Sequence, residues 1–120
     1  MASTTIKKYM DGTDSGWQEL TDATKFTGKI YYRKIGNLVE ISSNSLTLVD
    51  ELTSASGITI ATLPEGYRPA KLSVVVAGCT YDLVYARYNT NGNIGIFKNR
   101  NSASLPTDYP FYLATMFYTD

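Results

Sequence analysis

Histidine is absent from this 120-residue sequence, and cysteine occurs once, at Cys79. The first absence removes the commonest general base and the commonest metal ligand. A lone thiol forms no internal disulfide and no metal site by itself. Cys79 is therefore expected as a small buried hydrophobe inside a strand. Net charge is lacking too, because eleven basic and eleven acidic residues cancel. A neutral chain has no electrostatic claim on nucleic acid or anionic lipid, so neither is an expected partner. The longest strongly apolar run, Leu72–Gly78, is far too short for a helix to span a bilayer. Met1–Lys8 has no apolar stretch after its lysines, so no secretory signal is expected there. No segment combines a 3.6-residue period with helix caps, which predicts almost no helix. No Gly-x-Ser-x-Gly occurs, and Gly92–Gly95 falls in a hairpin pattern rather than a phosphate loop. No cofactor is expected.

What is present suits a single β domain. Apolar residues make up 43% and charged residues 18%, a globular balance. Ten of the aromatic residues are tyrosine. Tyrosine favours strands and half-buried surfaces, where its ring packs and its hydroxyl meets water or a polar ligand.

Residues 1–16 read as an N-terminal arm or linker, and 17–120 as the domain. Asp11–Gly16 resembles a calcium loop faintly, but Asp, Ser and Gly are also what a plain turn requires, and the turn is the reading kept. Lys29–Ile35 and Leu38–Ser43 form a hairpin across Gly36-Asn37. That turn sets Ile35 opposite Leu38, Arg33 opposite Glu40 and Tyr32 opposite Ile41. Leu46–Leu52 is a candidate short edge strand. Ile58–Leu63 is a strand, and Pro64-Glu-Gly66 turns the chain. Leu72–Ala77 scarcely alternates, so it is expected to be buried on both faces or to lie at the centre of a sandwich, with Gly78 breaking or bulging it. Tyr81–Tyr88 is the next strand. A three-residue loop, Thr90-Asn91-Gly92, then keeps Tyr88 opposite Ile94 and Ala86 opposite Ile96. It also puts Gly92 where a left-handed residue is needed. Asn99–Tyr109 is a polar loop. Phe111–Thr119 is a long closing strand, apolar on both faces, that needs cover from a second sheet or another subunit. About seven to nine short antiparallel strands result, the pattern of a β-sandwich or barrel.

Chemistry is harder to find. A serine or cysteine nucleophile has no histidine to activate it. A carboxylate pair could still hydrolyse glycans, with Asp11, Asp14 and Glu19 near Trp17 and Asp50 beside Glu51. Surface carboxylates are by default solvated, so the chain is read as a non-enzyme. Recognition is left. Trp17 would either stack a sugar or plug one end of the core, and the plug is the expected state for so large a ring. Tyr81, Asp82, Arg87, Asn99, Arg100 and Tyr109 fall at strand ends or in loops, and such residues contact sugars and peptides well. With Trp17 they are the candidate ligand-binding residues. Ordinary polar loops would have the same composition.

Several phrases, taken in order, carry a resemblance. They are Gly16-Trp17, Tyr32–Ile41, Ile58–Pro69, Asn91–Ile96 and the closing Tyr112–Tyr118. Leu63-Pro-Glu-Gly-Tyr-Arg-Pro69 is the most specific of them. From Trp17 onward the chain resembles the C-terminal head domains of tail-fibre, baseplate and receptor-binding proteins from phages or prophages of Gram-positive bacteria. The resemblance implies a β-sandwich or jelly-roll head that forms homotrimers. It implies recognition of host cell-wall saccharide and attachment to other phage tail or baseplate proteins. It also implies a place at the virion tail tip, after synthesis in the bacterial cytoplasm. A purely structural virion part that caps or trimerises a fibre is the second reading, and a glycan-degrading enzyme the third.

Overall fold

The computed structural model describes residues 14–20, 24–53, 57–79, 82–98 and 104–119. Among them the chain is all-β, with no helix. The strands in order are β1 (Gln18–Glu19), β2 (Phe26–Thr27), β3 (Ile30–Ile35), β4 (Leu38–Ser43), β5 (Thr47–Leu48), β6 (Ile58–Thr62), β7 (Ser73–Cys79), β8 (Val84–Tyr88), β9 (Asn93–Phe97), β10 (Phe111–Tyr112) and β11 (Ala114–Tyr118). They form a four-stranded sheet ordered β1-β3-β4-β11, a five-stranded sheet ordered β10-β7-β8-β9-β6, and the small pair β2-β5. The paired strands run antiparallel throughout. The inner faces of the sheets meet in one apolar core, making a sandwich.

Both hairpin registers follow the alternation of apolar residues. In the first, Ile35 pairs with Leu38, Arg33 with Glu40 and Tyr32 with Ile41. Gly36 takes φ +61° at the first turn position, which L side chains disfavour. In the second, Tyr88 pairs with Ile94 and Ala86 with Ile96. Gly92 closes the three-residue loop at φ +93°, donating its N–H to the Asn89 carbonyl at 2.9 Å.

Four expectations need correction. First, β7 is not buried on both faces. It lies next to the edge of its sheet, and none of the described residues covers its outer side, so Val74 and Val76 are exposed. Second, Gly78 neither breaks nor bulges β7 but pairs in register with Tyr112. The bulge is in β6, whose register against β9 shifts between Thr59 and Ala61 and leaves the consecutive Ile60 and Ala61 both buried. Third, the closing strand is two strands. Phe111–Tyr112 pairs with β7, whereas Ala114–Tyr118 pairs with β4 in the other sheet. Leu113 makes the crossing; its side chain is buried and its N–H donates to Ser43 Oγ at 2.8 Å. Fourth, Leu46–Leu52 is only partly strand, although Leu46 and Leu52 are buried and bridge Phe111 and Leu105. Leu105 thereby anchors in the core a stretch expected to be a polar loop. Phe26, in β2, is buried and belongs to the same core. These short pieces raise the strand count to eleven. Cys79 lies in β7 as expected, but half-buried against the core.

The phrase Leu63–Pro69 ties the two larger sheets together. Arg68 Nε donates to the Leu63 carbonyl and Lys34 Nζ to the Gly66 carbonyl, each at 2.9 Å. Tyr67 packs edge-on against Tyr32 with centroids 4.8 Å apart, and Pro69 bridges Thr119. Of the arm at 1–16, only Asp14–Gly16 lies within the described residues. Asp14 bridges Ile35 and accepts the Gly16 N–H on its carboxylate, which makes the expected turn.

Candidate functional site

The outward face of the four-stranded sheet is built from residues that alternate with its core residues. Register places Glu19, Tyr31, Ser42 and Ala114 in one row across all four strands. The next row contains Arg33, Glu40 and Met116. Arg33 Nε donates to Glu40 Oε1 at 2.9 Å, and its guanidinium carbon lies 4.7 Å from the centre of the Trp17 ring. Trp17 is therefore no core plug. It is 46% exposed, because it sits on the solvent side of the edge strand, over a guanidinium rather than over the apolar interior.

Trp17, Tyr31 and Ser42 line an open groove of about 400 Å3. A second groove of about 280 Å3 continues across Glu40, Ser42, Ala114, Thr115 and Met116, sharing Ser42 with the first. Two aromatic rings, a serine hydroxyl and an ion pair can give a sugar ring both an apolar surface and hydrogen-bond partners.

A third groove, of about 310 Å3, opens on the other side of β1 between the sheets. Glu19, Leu20, Tyr32, Thr62, Leu63, Pro64 and Arg68 line it. Tyr32 donates its hydroxyl to Gln18 Oε1 at 3.2 Å. Burial, helped by the nearby Tyr67, pushes the Tyr32 hydroxyl above its ordinary pKa.

The remaining candidates lie elsewhere. Arg87 is on the outward face of the five-stranded sheet, its guanidinium carbon 4.5 Å from the Phe97 ring centre. Phe97 in turn stacks on Tyr85 with centroids 5.3 Å apart. The pocket beside Arg87 is only about 80 Å3. Asp82 pairs with Lys98, whose Nζ also donates to the Ser104 carbonyl at 2.9 Å. The hydrogen bond from Lys98 holds the Asp82 carboxyl below the usual carboxylate range. Tyr109 is half-buried and packs against the core. Tyr81, Asn99 and Arg100 lie outside the described residues. Sequence reasoning missed Tyr31, Ser42 and Arg68, and weighed Glu19 only as a possible catalytic carboxylate. Register pairing from the Gly36-Asn37 turn puts Tyr31 and Ser42 side by side, so that signal was available for two of them.

No family model matches the chain, and no curated protein matches it. A solved structure does. The head domain of the lactococcal phage bIL170, whose report asks whether the receptor-binding domains of lactococcal phages share a common fold, superposes with a TM-score of 0.67. The match covers 85% of this chain and 96% of that one at 16% sequence identity. The chain thus has the fold of a phage receptor-binding head domain. Its likeness to the bIL170 head extends over nearly the whole of that domain.

Proposed function

We propose that the chain is a receptor-binding module of a phage tail tip, which recognises cell-wall saccharide of a Gram-positive host through the Trp17–Tyr31–Ser42 groove. The match to the bIL170 head over nearly its full length carries this reading. The open aromatic groove supports it, since saccharide sites combine a stacking surface with a few placed polar groups. Binding rather than catalysis is the activity. The module works in the virion, joined to other tail or baseplate proteins.

Three copies assemble into the head. Two unlike apolar faces are exposed: Met116 and Tyr118 on β11, and Leu72, Val74, Val76 and Tyr112 around β7. A three-fold ring is heterologous, so each copy needs two different complementary patches. The ligand groove runs from Trp17 beside β1 to Ser42 on β4. The same exposed faces also suit the second reading, a purely structural part that trimerises a fibre.

The test is binding of the purified chain to cell walls of Gram-positive strains, including the phage's own host, with its mass measured by light scattering. Wall binding by a trimer is the expected result. A stable trimer that binds no wall, the phage's own host included, would leave the structural reading in its place. Release of reducing ends from wall polysaccharide would establish an enzyme instead.

A further inference from the structure

Trp17 reaches its groove from a turn that is fastened to β3. Asp14 bridges Ile35. Ser15 donates its N–H to the Lys34 carbonyl at 2.8 Å, and its Oγ accepts the Lys34 N–H at 2.9 Å. Gly16 donates its N–H to Asp14 Oδ1 at 2.8 Å and takes φ +72°. A Cβ at Gly16 would meet nothing within 4 Å, so glycine serves here for its left-handed backbone and not for space. Asp14–Gly16 thus sets the direction from which the chain enters β1 and the point where Trp17 leaves it.

The indole is then held from beneath by Arg33. The Arg33 guanidinium carbon lies 4.7 Å from the centre of the Trp17 ring. Nε of the same guanidinium donates to Glu40 Oε1 at 2.9 Å, and its Nη1 lies 3.8 Å from Asp14 Oδ2. Two carboxylates from different elements, the turn and β4, therefore brace one guanidinium against one ring. Asp14 is shared between the turn and the brace, since its other oxygen takes the Gly16 N–H.

Arg33 lines neither of the two outward grooves, whereas Trp17 lines the first and Glu40 the second. Exposed ion pairs add little to stability, so the effect of this cluster is chiefly geometrical. A guanidinium over one face of the indole leaves a sugar ring only the other face and the edges to meet. A tryptophan on a two-residue edge strand would otherwise have to be immobilised on binding. Ordering one such side chain costs roughly twofold to tenfold in affinity.

We propose that Arg33 is the positioning residue of the Trp17 groove: braced by Glu40 and Asp14, its guanidinium holds the indole in the orientation that receives the sugar. Affinity then depends on a side chain that acts through Trp17 rather than by touching the ligand. This inference rests on the saccharide-binding reading of the Trp17 groove.

The experiment uses the intact chain and soluble wall-polysaccharide fragments from a strain that it binds. Trp17 is the only tryptophan in the sequence, so fluorescence reads this ring alone. Arg33→Ala is expected to lower the fluorescence anisotropy of the indole, to raise its quenching by acrylamide, and to weaken fragment binding about fivefold. Arg33→Lys keeps a cation for the ring and should recover part of both effects. Glu40→Gln removes one brace and should move both readouts the same way by less; it remains informative if Arg33→Ala does not fold. Anisotropy and quenching unchanged from wild type in Arg33→Ala and Glu40→Gln would overturn the positioning role. A loosened ring with unchanged fragment affinity would overturn it too. In either case, loss of binding in Trp17→Ala leaves the saccharide reading of the groove standing, whereas full binding in Trp17→Ala overturns that reading itself.

Discussion

The outward faces of the two larger sheets use the same chemistry in different arrangements. Each sets an arginine against an aromatic ring. On the five-stranded sheet Arg87 lies on Phe97 and Phe97 on Tyr85, and a pocket of about 80 Å3 is left. On the four-stranded sheet Arg33 is engaged by Glu40, Trp17 stays exposed, and grooves of about 400 and 280 Å3 remain. Cross-strand partners make the difference. Arg87 faces Gly95, which offers no side chain, so the guanidinium settles on the nearest ring. Arg33 faces the Glu40 carboxylate, which accepts its Nε–H at 2.9 Å and holds it in place. A face that satisfies itself is a poor receptor site, and one that leaves rings and hydroxyls open is a better one.

The comparison assumes that both faces stand on one cooperative core. Phe111→Ala tests this most severely, because Phe111 is fully buried, pairs with β7 and bridges Leu46. It is expected to cost about 3–5 kcal/mol. Urea unfolding followed by Trp17 fluorescence on one sheet and by NMR signals of Ala86 and Ile96 on the other should give coincident transitions. Separate transitions would break the comparison into two independent units.

A smaller effect sits inside the core. The Tyr88 hydroxyl is buried with no hydrogen-bond partner among the described residues, and burial pushes its pKa well above the ordinary tyrosine value. The neutral form is favoured in the folded state, so this contribution is complete below about pH 10 and is lost as pH rises further. Tyr88→Phe should leave stability unchanged or raise it by about 1 kcal/mol, and should flatten the alkaline fall in the urea midpoint. A loss above that size would mean that the hydroxyl has a partner.

The smallest effect belongs to the five-stranded sheet alone. The folded pKa of Asp82 is lowered, so its pairing with Lys98 stabilises above the usual carboxylate range and fades as pH falls below about 4. Asp82→Asn should flatten the acid limb of the urea midpoint slightly and leave wall binding at neutral pH unchanged.

Much of this architecture was legible in the sequence, for identifiable reasons. Both hairpins follow from glycines at turn positions and from a period of two, since a slip of one residue would turn Val39 and Ile41, or Ile94 and Ile96, out of the core. The sheet change at Leu113 was not legible. Alternation continues through it, with Phe111, Leu113 and Phe117 all buried, and a period of two does not say which sheet receives the strand. The exposure of Val74 and Val76 was hidden for the converse reason: an apolar run looks the same whether covered on both faces or bare on one. Leu105 lay unseen as a single apolar residue beside a proline. Of the site, the sequence pointed to Trp17 but not to its exposure, which depends on Arg33 lying beneath it. Tyr32 and Arg68 are far apart in the chain and line one groove only through the topology.

The most direct test measures wall-fragment affinity for Trp17→Ala and Arg87→Ala side by side. Both positions are on the surface, so the melting temperature should hardly move in either variant. Trp17→Ala is expected to weaken binding at least tenfold, about 1.4 kcal/mol, and Arg87→Ala to leave it within twofold of wild type. Full affinity in Trp17→Ala together with loss in Arg87→Ala would contradict the account and move the receptor site to the opposite sheet.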